Sequence, residues 1–404
     1  MTPHVGASSS KVRILFCGAD AFWHQAGNRR HVFFLRGFAA APAVERVYVV
    51  RRVSWVTWWR ERRTADDDDR IKTLWVIRWF PERFRLAGIT ILNRALARWS
   101  IRRRLGSSSV PTVVWCYALS GIADADALNL RGEWFFDTDH DVVHDPNRRF
   151  SPIDDAESIV IRGARRSRRV FSASRNMTQW LRGFGIERLS RLRNGVNPER
   201  FVPHRPRNPG GEAAATPILG YMGVFSPWVD LSFLLNLARR RPEWRFVLAG
   251  PWRRIRPPRE LVELDNVEIR GRVYSRDVPK TLGSFDIGLG LYRKESWLDV
   301  DSMKLHEYLA AELPSVTTRF HPHLEEDYEG LIAVAEDLEA FGNRIEAILR
   351  WTEDEWLEWR RRCREFVTRN TWDHRVREAL AAIRVETGFD LGASGVVGSA
   401  RCAE

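Results

Sequence analysis

Residues 218–251 read ILGYMGVFSPWVDLSFLLNLARRRPEWRFVLAGP. ILGYMG (218–223) is the short apolar run of a buried strand, DLSFLLNLARRRP (230–242) has the pattern of a helix, and EWRFVLAGP (243–251) reads as a second strand. Strand, helix, strand at this spacing builds a parallel α/β sheet. Downstream, VEIRG (267–271), a helix near 275–283, FDIGLGLY (285–292), a helix over 302–312, SVTT (315–318) and LIAVA (331–335) continue the alternation. Long helices follow in DLEAFGNRIEAILRW (337–351) and in the Trp-, Glu- and Arg-rich stretch to about Asn370.

The same alternation opens the chain. KVRILFC (11–17) ends at Gly18, a helix runs from about Asn28 to Ala40, and VERVYVV (44–50) is the next strand. Further strands fall at VPTVVWCY (110–117), at 133–136 and at RRVFSAS (168–174), with a helix near Met177–Gly183. Residues 86–105 suit an amphipathic helix, with Ile89, Leu92, Leu96 and Trp99 on one side and Arg94, Arg98 and Arg102 on the other. The run Asp66–Asp69 reads as a solvated loop. PHRPRNPGGEAAATP (203–217) has the composition of a linker. The expected division is therefore a doubly wound domain over 11–203, a linker over 204–217 and a second doubly wound domain over 218–370. A helix over 371–388 is expected to cross back to the first domain, ahead of a disordered tail over 389–404. Two such domains joined by a linker make a cleft, and ligands of such sheets sit at the carboxyl ends of the strands.

A chain of 404 residues with 44% hydrophobic and 29% charged side chains is globular in composition and long enough for two domains. No apolar run approaches the roughly 20 residues of a membrane-spanning helix, and no secretory leader is visible. Cys17, Cys116, Cys363 and Cys402 form no paired motif, so neither a zinc site nor a disulfide framework is expected, and a reducing cytoplasm suits them. The net charge of +12 and the pI near 10.1 fit nucleic acid, an anionic membrane face or anionic small substrates. No basic helix, aromatic sheet motif or zinc signature supports nucleic acid. The basic, Trp-rich first domain, with its 86–105 helix, suggests peripheral attachment to the inner membrane face and a lipid-linked acceptor.

The helix after Asp299 carries candidate chemistry. Asp301 or Ser302 can serve as its N-cap, and Pro314 stops it. Lys304 and Glu307 are three positions apart and share one face near its N-terminus. Unpaired backbone N–H groups and the helix dipole favour an anion there, and Lys304 adds a full charge. A diphosphate would suit that end and Glu307 the hydroxyls of a ribose. A surface Lys–Glu pair on an ordinary helix is the alternative.

These motifs, in this order, resemble the GT-B glycosyltransferases, in particular the retaining family that includes teichuronic-acid and capsule-type sugar transferases. The resemblance runs from about residue 11 to 370. Asn194-Gly195-Val196-Asn197 with Phe201 looks like the family's motif at the end of the first domain, and Gly220–Gly223 like the opening of the second. Lys304-Leu-His-Glu307-Tyr-Leu-Ala-Ala is similar to the family's Lys-x-x-Glu helix. The resemblance implies a nucleotide-diphosphate sugar bound mainly by the second domain. Glu307 would hold the ribose, Lys304 and the helix N-terminus the diphosphate, and Gly223 would leave room for the phosphates. Arg272, beside Gly271, resembles a residue of the loop that cups the base. Gly18 resembles a small residue facing the diphosphate from the first domain. The segment Asp137–Asp141 is expected to bring carboxylates and a His to the cleft, with His140 contacting the donor sugar and His144 the alternative.

The chain also departs from that family. Asp299 stands where the family often has a first Glu, with Asp301 and Glu295 as alternatives. The usual Arg and Lys after the opening strand of the second domain are replaced by Phe225-Ser-Pro-Trp-Val-Asp230, so phosphate binding leans on Lys304 with Arg293 or Lys294. Glu312 takes the place of the helix-ending Gly. The resemblance implies a retaining transferase using front-face attack with the leaving diphosphate as base, needing no metal or other cofactor. A non-catalytic or isomerase-type sugar-nucleotide binder of the same fold is the rival reading.

Overall fold

The computed structural model describes residues 11–19, 29–63, 67–80, 87–106, 110–139, 155–203, 216–293 and 300–392. Its residues fall into two units. One runs to Arg193 and resumes at Asp373, and the other is Asn194–Trp372.

The first unit holds seven parallel strands: β1 (Val12–Cys17), β2 (Val44–Ser54), β3 (Ile71–Arg78), β4 (Thr112–Tyr117), β5 (Glu133–Thr138), β6 (Arg169–Ser172) and β7 (Leu189–Arg191). Their order is β3-β2-β1-β4-β5-β6-β7, so the direction of winding reverses between β1 and β4. β1 is buried along its whole length and β4 at four of its six positions, which is why both read as near-continuous apolar runs. On one face of the sheet the Trp115 ring stacks against Phe34, Phe135 and Phe171 at 5.3–6.2 Å between centroids. The helix Trp372–Thr387 closes this unit. Its Val376 fills the space over Gly37, and its Glu386 pairs with Arg169 of β6.

One expectation for this unit is extended and one changes. β3 follows directly on Asp67–Asp69, and the Asp67 and Asp68 carboxylates accept backbone N–H groups of Arg70, Ile71 and Thr73. The described part of that acidic run is thus an exposed turn that also starts a strand. The helix Ala87–Leu105 does not bury the side its Leu and Trp residues suggested. Asn93, Ala97 and Ile101 are its buried residues, whereas Leu92 and Trp99 are exposed. Asn93 decides the orientation: its side-chain oxygen accepts the N–H groups of Trp79 and Phe80 at 3.1 Å, and its amide donates to the Phe80 carbonyl at 2.9 Å. Three hydrogen bonds to backbone groups just past β3 outweigh a leucine's preference for the inside.

The second unit holds six parallel strands, β8 (Ile218–Met222), β9 (Arg245–Ala249), β10 (Val267–Gly271), β11 (Ile287–Gly290), β12 (Ser315–Thr318) and β13 (Ala333–Ala335), ordered β10-β9-β8-β11-β12-β13. Here the winding reverses between β8 and β11. Glycines inside two strands admit rings close to the sheet: a Cβ on Gly220 would lie 2.0 Å from Phe285, and one on Gly288 2.7 Å from Tyr308. Residues 194–196 tie the start of this unit to its end. Val196 bridges Thr371, and a Cβ on Gly195 would sit 2.6 Å from the Trp372 nitrogen, so that position has no room for a side chain.

The helix Met303–Ala310 ends in a Schellman arrangement, with Leu313 N–H donating to the Tyr308 carbonyl and Glu312 N–H to that of Leu309. Glu312 takes the left-handed position at φ +52°. Its buried carboxylate is gripped by Arg360 and Arg364 of the helix Glu353–Arg369, both at 2.5 Å. The missing glycine is therefore offset by a charge clamp.

Candidate functional site

Three neighbouring strands of the second sheet, β8, β9 and β10, end at glycines with positive φ: Gly223 (+152°), Gly250 (+146°) and Gly271 (+69°). They pack backbone on backbone. The Gly223 N–H donates to the Ala249 carbonyl at 2.9 Å, and the Gly250 N–H to that of Gly271 at 2.6 Å. A Cβ on Gly250 would lie 1.8 Å from the Gly223 oxygen, and one on Gly223 2.8 Å from Lys304 Cε. The carboxyl edge of the sheet beside its switch point is thus a bare backbone shelf with Lys304 against it.

Lys304 belongs to the helix Met303–Ala310, whose N-cap is Ser302. The Ser302 hydroxyl does not cap that helix; it shares a 2.7 Å hydrogen bond with the Tyr292 hydroxyl. The first N–H groups of the helix therefore keep no side-chain acceptor from Ser302. The half-buried Lys304 ammonium lies 3.6 Å from the centre of the Tyr221 ring and 5.1 Å from that of Tyr292. Burial pushes its pKa down to about 7, and Glu307 opposes the shift. Burial also raises Tyr221 well above the usual phenol range and Tyr292 to about 12, so both rings stay neutral and present π faces to the cation.

The base of this helix is held by a buried polar network. Asp301 accepts the backbone N–H of Asn194 at 2.6 Å, lies 3.0 Å from His306 Nε2 and accepts the Tyr328 hydroxyl at 3.2 Å. The Asn194 amide donates to the Asp301 carbonyl at 2.6 Å. Of the three carboxylates weighed for the upstream role, Asp301 is thus engaged in holding the helix.

The remaining sequence-predicted residues divide clearly. Glu307 is half-buried three positions beyond Lys304. Arg293 is exposed just past β11, its N–H donating to the Trp228 carbonyl at 3.0 Å. Arg272 is exposed beyond β10, its guanidinium 5.4 Å from the centre of the Tyr274 ring. Arg270 pairs with Glu268 at 2.6 Å. In the first unit, Gly18 (φ +94°) ends β1 at that sheet's own switch point, where a Cβ would lie 2.2 Å from the Tyr117 carbonyl. Asp137 is not offered to a ligand, because its buried carboxylate pairs with buried Arg30 at 2.6 Å. Desolvation raises the Asp137 pKa and the Arg30 charge opposes this. Asp139 accepts the Tyr117 hydroxyl at 2.8 Å. His140, His144, Lys294, Glu295 and Asp299 lie outside the described residues. Sequence reasoning missed Tyr221, Tyr292 and Gly250 as parts of the site, since only the fold brings them to Lys304.

Comparison with known proteins adds to this geometry. Residues 231–381 match the family described as glycosyl transferase-like. Over 161 residues the chain is 30% identical to the putative teichuronic acid biosynthesis glycosyltransferase TuaH of Bacillus subtilis, a match spanning 36% of this chain and 40% of that protein. Among solved structures, sucrose-phosphate synthase from Thermosynechococcus elongatus is similar with a TM-score of 0.65 and 12% identity, covering 93% of this chain and 98% of that one. The Anabaena protein HepE, solved in complex with UDP-glucose, is similar with a TM-score of 0.61 and 13% identity, covering 92% and 99%. The two parallel α/β sheets thus have the fold of these solved GT-B structures, and within the second unit and the helix that follows it residues 231–381 are similar in sequence to the glycosyl transferase-like family.

Proposed function

We propose that this chain moves a sugar from a nucleotide-diphosphate donor to a cell-surface polysaccharide or lipid-linked acceptor, with retention of anomeric configuration, on the cytoplasmic side of the membrane. The observation that carries this reading is the Lys304 ammonium at a helix N-terminus, set against the glycine shelf at the carboxyl ends of β8 and β9. In this reading Lys304 and the first N–H groups of its helix hold the diphosphate, with Arg293 as a second cation. Glu307 takes the ribose hydroxyls and Arg272 the base. Gly223 admits the phosphates. His140 and Asp299 meet the donor sugar.

The bond from the anomeric carbon to the diphosphate breaks as the acceptor oxygen attacks from the same face. The acceptor proton passes to a leaving phosphate oxygen. The protein stabilises charge growing on the diphosphate and holds the acceptor in line, a task that Lys304 and the helix N-terminus perform without a metal. The test is nucleoside diphosphate release by the purified chain with a panel of donors, for the native protein and for Lys304→Ala and Glu307→Ala. Each substitution is expected to cost about 10²–10³ in rate with the circular dichroism spectrum unchanged. Near-normal turnover in both variants would sink the site. Donor binding without release from any donor would favour the non-catalytic binder.

A further inference from the structure

We propose that an exposed aromatic and arginine face of the first unit, built from the helix Trp55–Glu61 and the chain after β3, docks on an anionic lipid bilayer. This goes further than peripheral attachment in general, because it names the surface. It also stands apart from the transfer reaction, since it uses none of the residues around Lys304. The helix Trp55–Glu61 contains three tryptophans and a valine in seven residues, and none of the seven is buried. Trp58 packs on Val53 and Trp75, whereas Trp55, Val56 and Trp59 are 52%, 51% and 62% exposed. The helix starts beside the end of β3, because Ser54 of β2 is in register with Arg78. The next residues there, Trp79 and Phe80, are also exposed, and Asn93 pins their backbone so that they are presented rigidly. Leu92, next to Asn93, is exposed as well.

Six half-exposed side chains of this size amount to on the order of 500 Å² of apolar surface, as much as the largest patch on a typical monomer. The charge around them is mostly positive, with Arg51 pairing with Glu61 and Arg52 with Asp124. Residues 51–63 carry Arg51, Arg52, Arg60, Arg62 and Arg63 against Glu61 alone, and the helix Ala87–Leu105 carries five arginines and no acid. The Arg62 guanidinium lies 3.7 Å from the centre of the Trp59 ring. The acidic turn Asp67–Asp69 sits at the opposite end of β3, before Ile71. Tryptophan rings with arginines beside them suit the headgroup layer, where the ring enters the acyl boundary and the guanidinium meets lipid phosphate. A two-fold contact between copies would instead set these like charges against themselves.

The experiment is co-sedimentation of the full chain with phosphatidylcholine vesicles, with and without phosphatidylglycerol, at low and high salt. Binding is expected to the anionic vesicles only and to weaken with salt. Trp55→Ser/Trp59→Ser and Arg60→Gln/Arg62→Gln should each lower apparent affinity at least about tenfold. Nucleoside diphosphate binding, read by calorimetry, should be unchanged in both double variants, which separates a failure here from a failure of the transferase reading. The proposal is overturned if the native chain ignores anionic vesicles at low salt or if both double variants bind them as well as it does. It is equally overturned if the native chain ignores vesicles but sediments as a dimer that Trp55→Ser/Trp59→Ser dissociates, which would make the face a contact between copies.

Discussion

Asn194 and Asp301 hold each other by two 2.6 Å hydrogen bonds, backbone N–H to carboxylate and side-chain amide to backbone carbonyl. They are 107 positions apart in the chain. The first joins the segment that opens the second unit to the helix bearing Lys304, so that helix starts from a fixed point.

Breaking the clamp should loosen the helix before it touches the rest of the fold. Asp301→Ala takes the carboxylate partner from the Asn194 N–H and from His306, and one of two acceptors from the Tyr328 hydroxyl, at a cost of about 3 kcal/mol or more. Asn194→Ala removes the side-chain bond alone and should cost about 1–3 kcal/mol. Urea unfolding followed by tryptophan fluorescence measures both. An Asp301→Ala protein as stable as the native one would show the network to be dispensable.

The depressed Lys304 pKa makes anion binding dependent on pH. With the free lysine titrating near 7, an anion that needs the ammonium binds at full strength below that pH. Its affinity then falls by up to about tenfold per unit as pH rises above 7. Calorimetry of nucleoside diphosphate between pH 7 and 9 reads this slope, and Lys304→Met should abolish it.

The same group affects stability with the opposite sense. Between the folded value near 7 and the ordinary lysine value, the unfolded chain carries the proton that the folded chain has lost, so stability rises with pH across that window. The penalty for burying the charged form is complete below 7. Lys304→Met should therefore gain more in melting temperature over the native protein at pH 6 than at pH 9.5. Equal gains at both values would place the lysine in water.

The glycine shelf predicts a graded series. Gly271→Ala meets open space and pays only for its positive φ, about 1–2 kcal/mol. Gly223→Ala must also displace the Lys304 side chain, so it should weaken nucleoside diphosphate binding beyond its effect on stability. Gly250→Ala collides with backbone that cannot move aside and should cost roughly 3 kcal/mol or more. Melting temperatures in the order Gly271→Ala, Gly223→Ala, Gly250→Ala, highest first, would bear this out.

Much of the architecture is readable along the chain because the central strands, such as β1, β4, β8, β9 and β11, are covered on both faces and so appear as apolar runs. β3 escapes that reading, since an edge strand tolerates Lys72 and Arg78 and breaks its own pattern. The buried side of the helix Ala87–Leu105 escapes it too. An asparagine that satisfies the backbone just past β3 leaves no periodic trace, while the leucine and tryptophan suggesting the other side stay in solvent. Lys304 and Glu307 were visible as a pair because a helix places them together locally. The rings of Tyr221 and Tyr292, which lie against the lysine, are 83 and 12 positions away and meet it only after the sheet forms. Glu312 read as a lost cap, because the two arginines that hold it come from a helix some fifty residues on.

Val196 and Thr371 lie side by side, with the Val196 N–H donating to the Asn370 carbonyl at 3.0 Å and the Trp372 N–H to the Val196 carbonyl at 3.2 Å. The second unit is one uninterrupted length of chain, and its entrance and exit are stitched together. Such a segment has the form of a cassette: a short spacer would span its ends, and the chain around it needs no rerouting when it is exchanged. Lineages could therefore swap the half bearing Lys304 while retaining the half bearing the tryptophan face, each changing at its own pace.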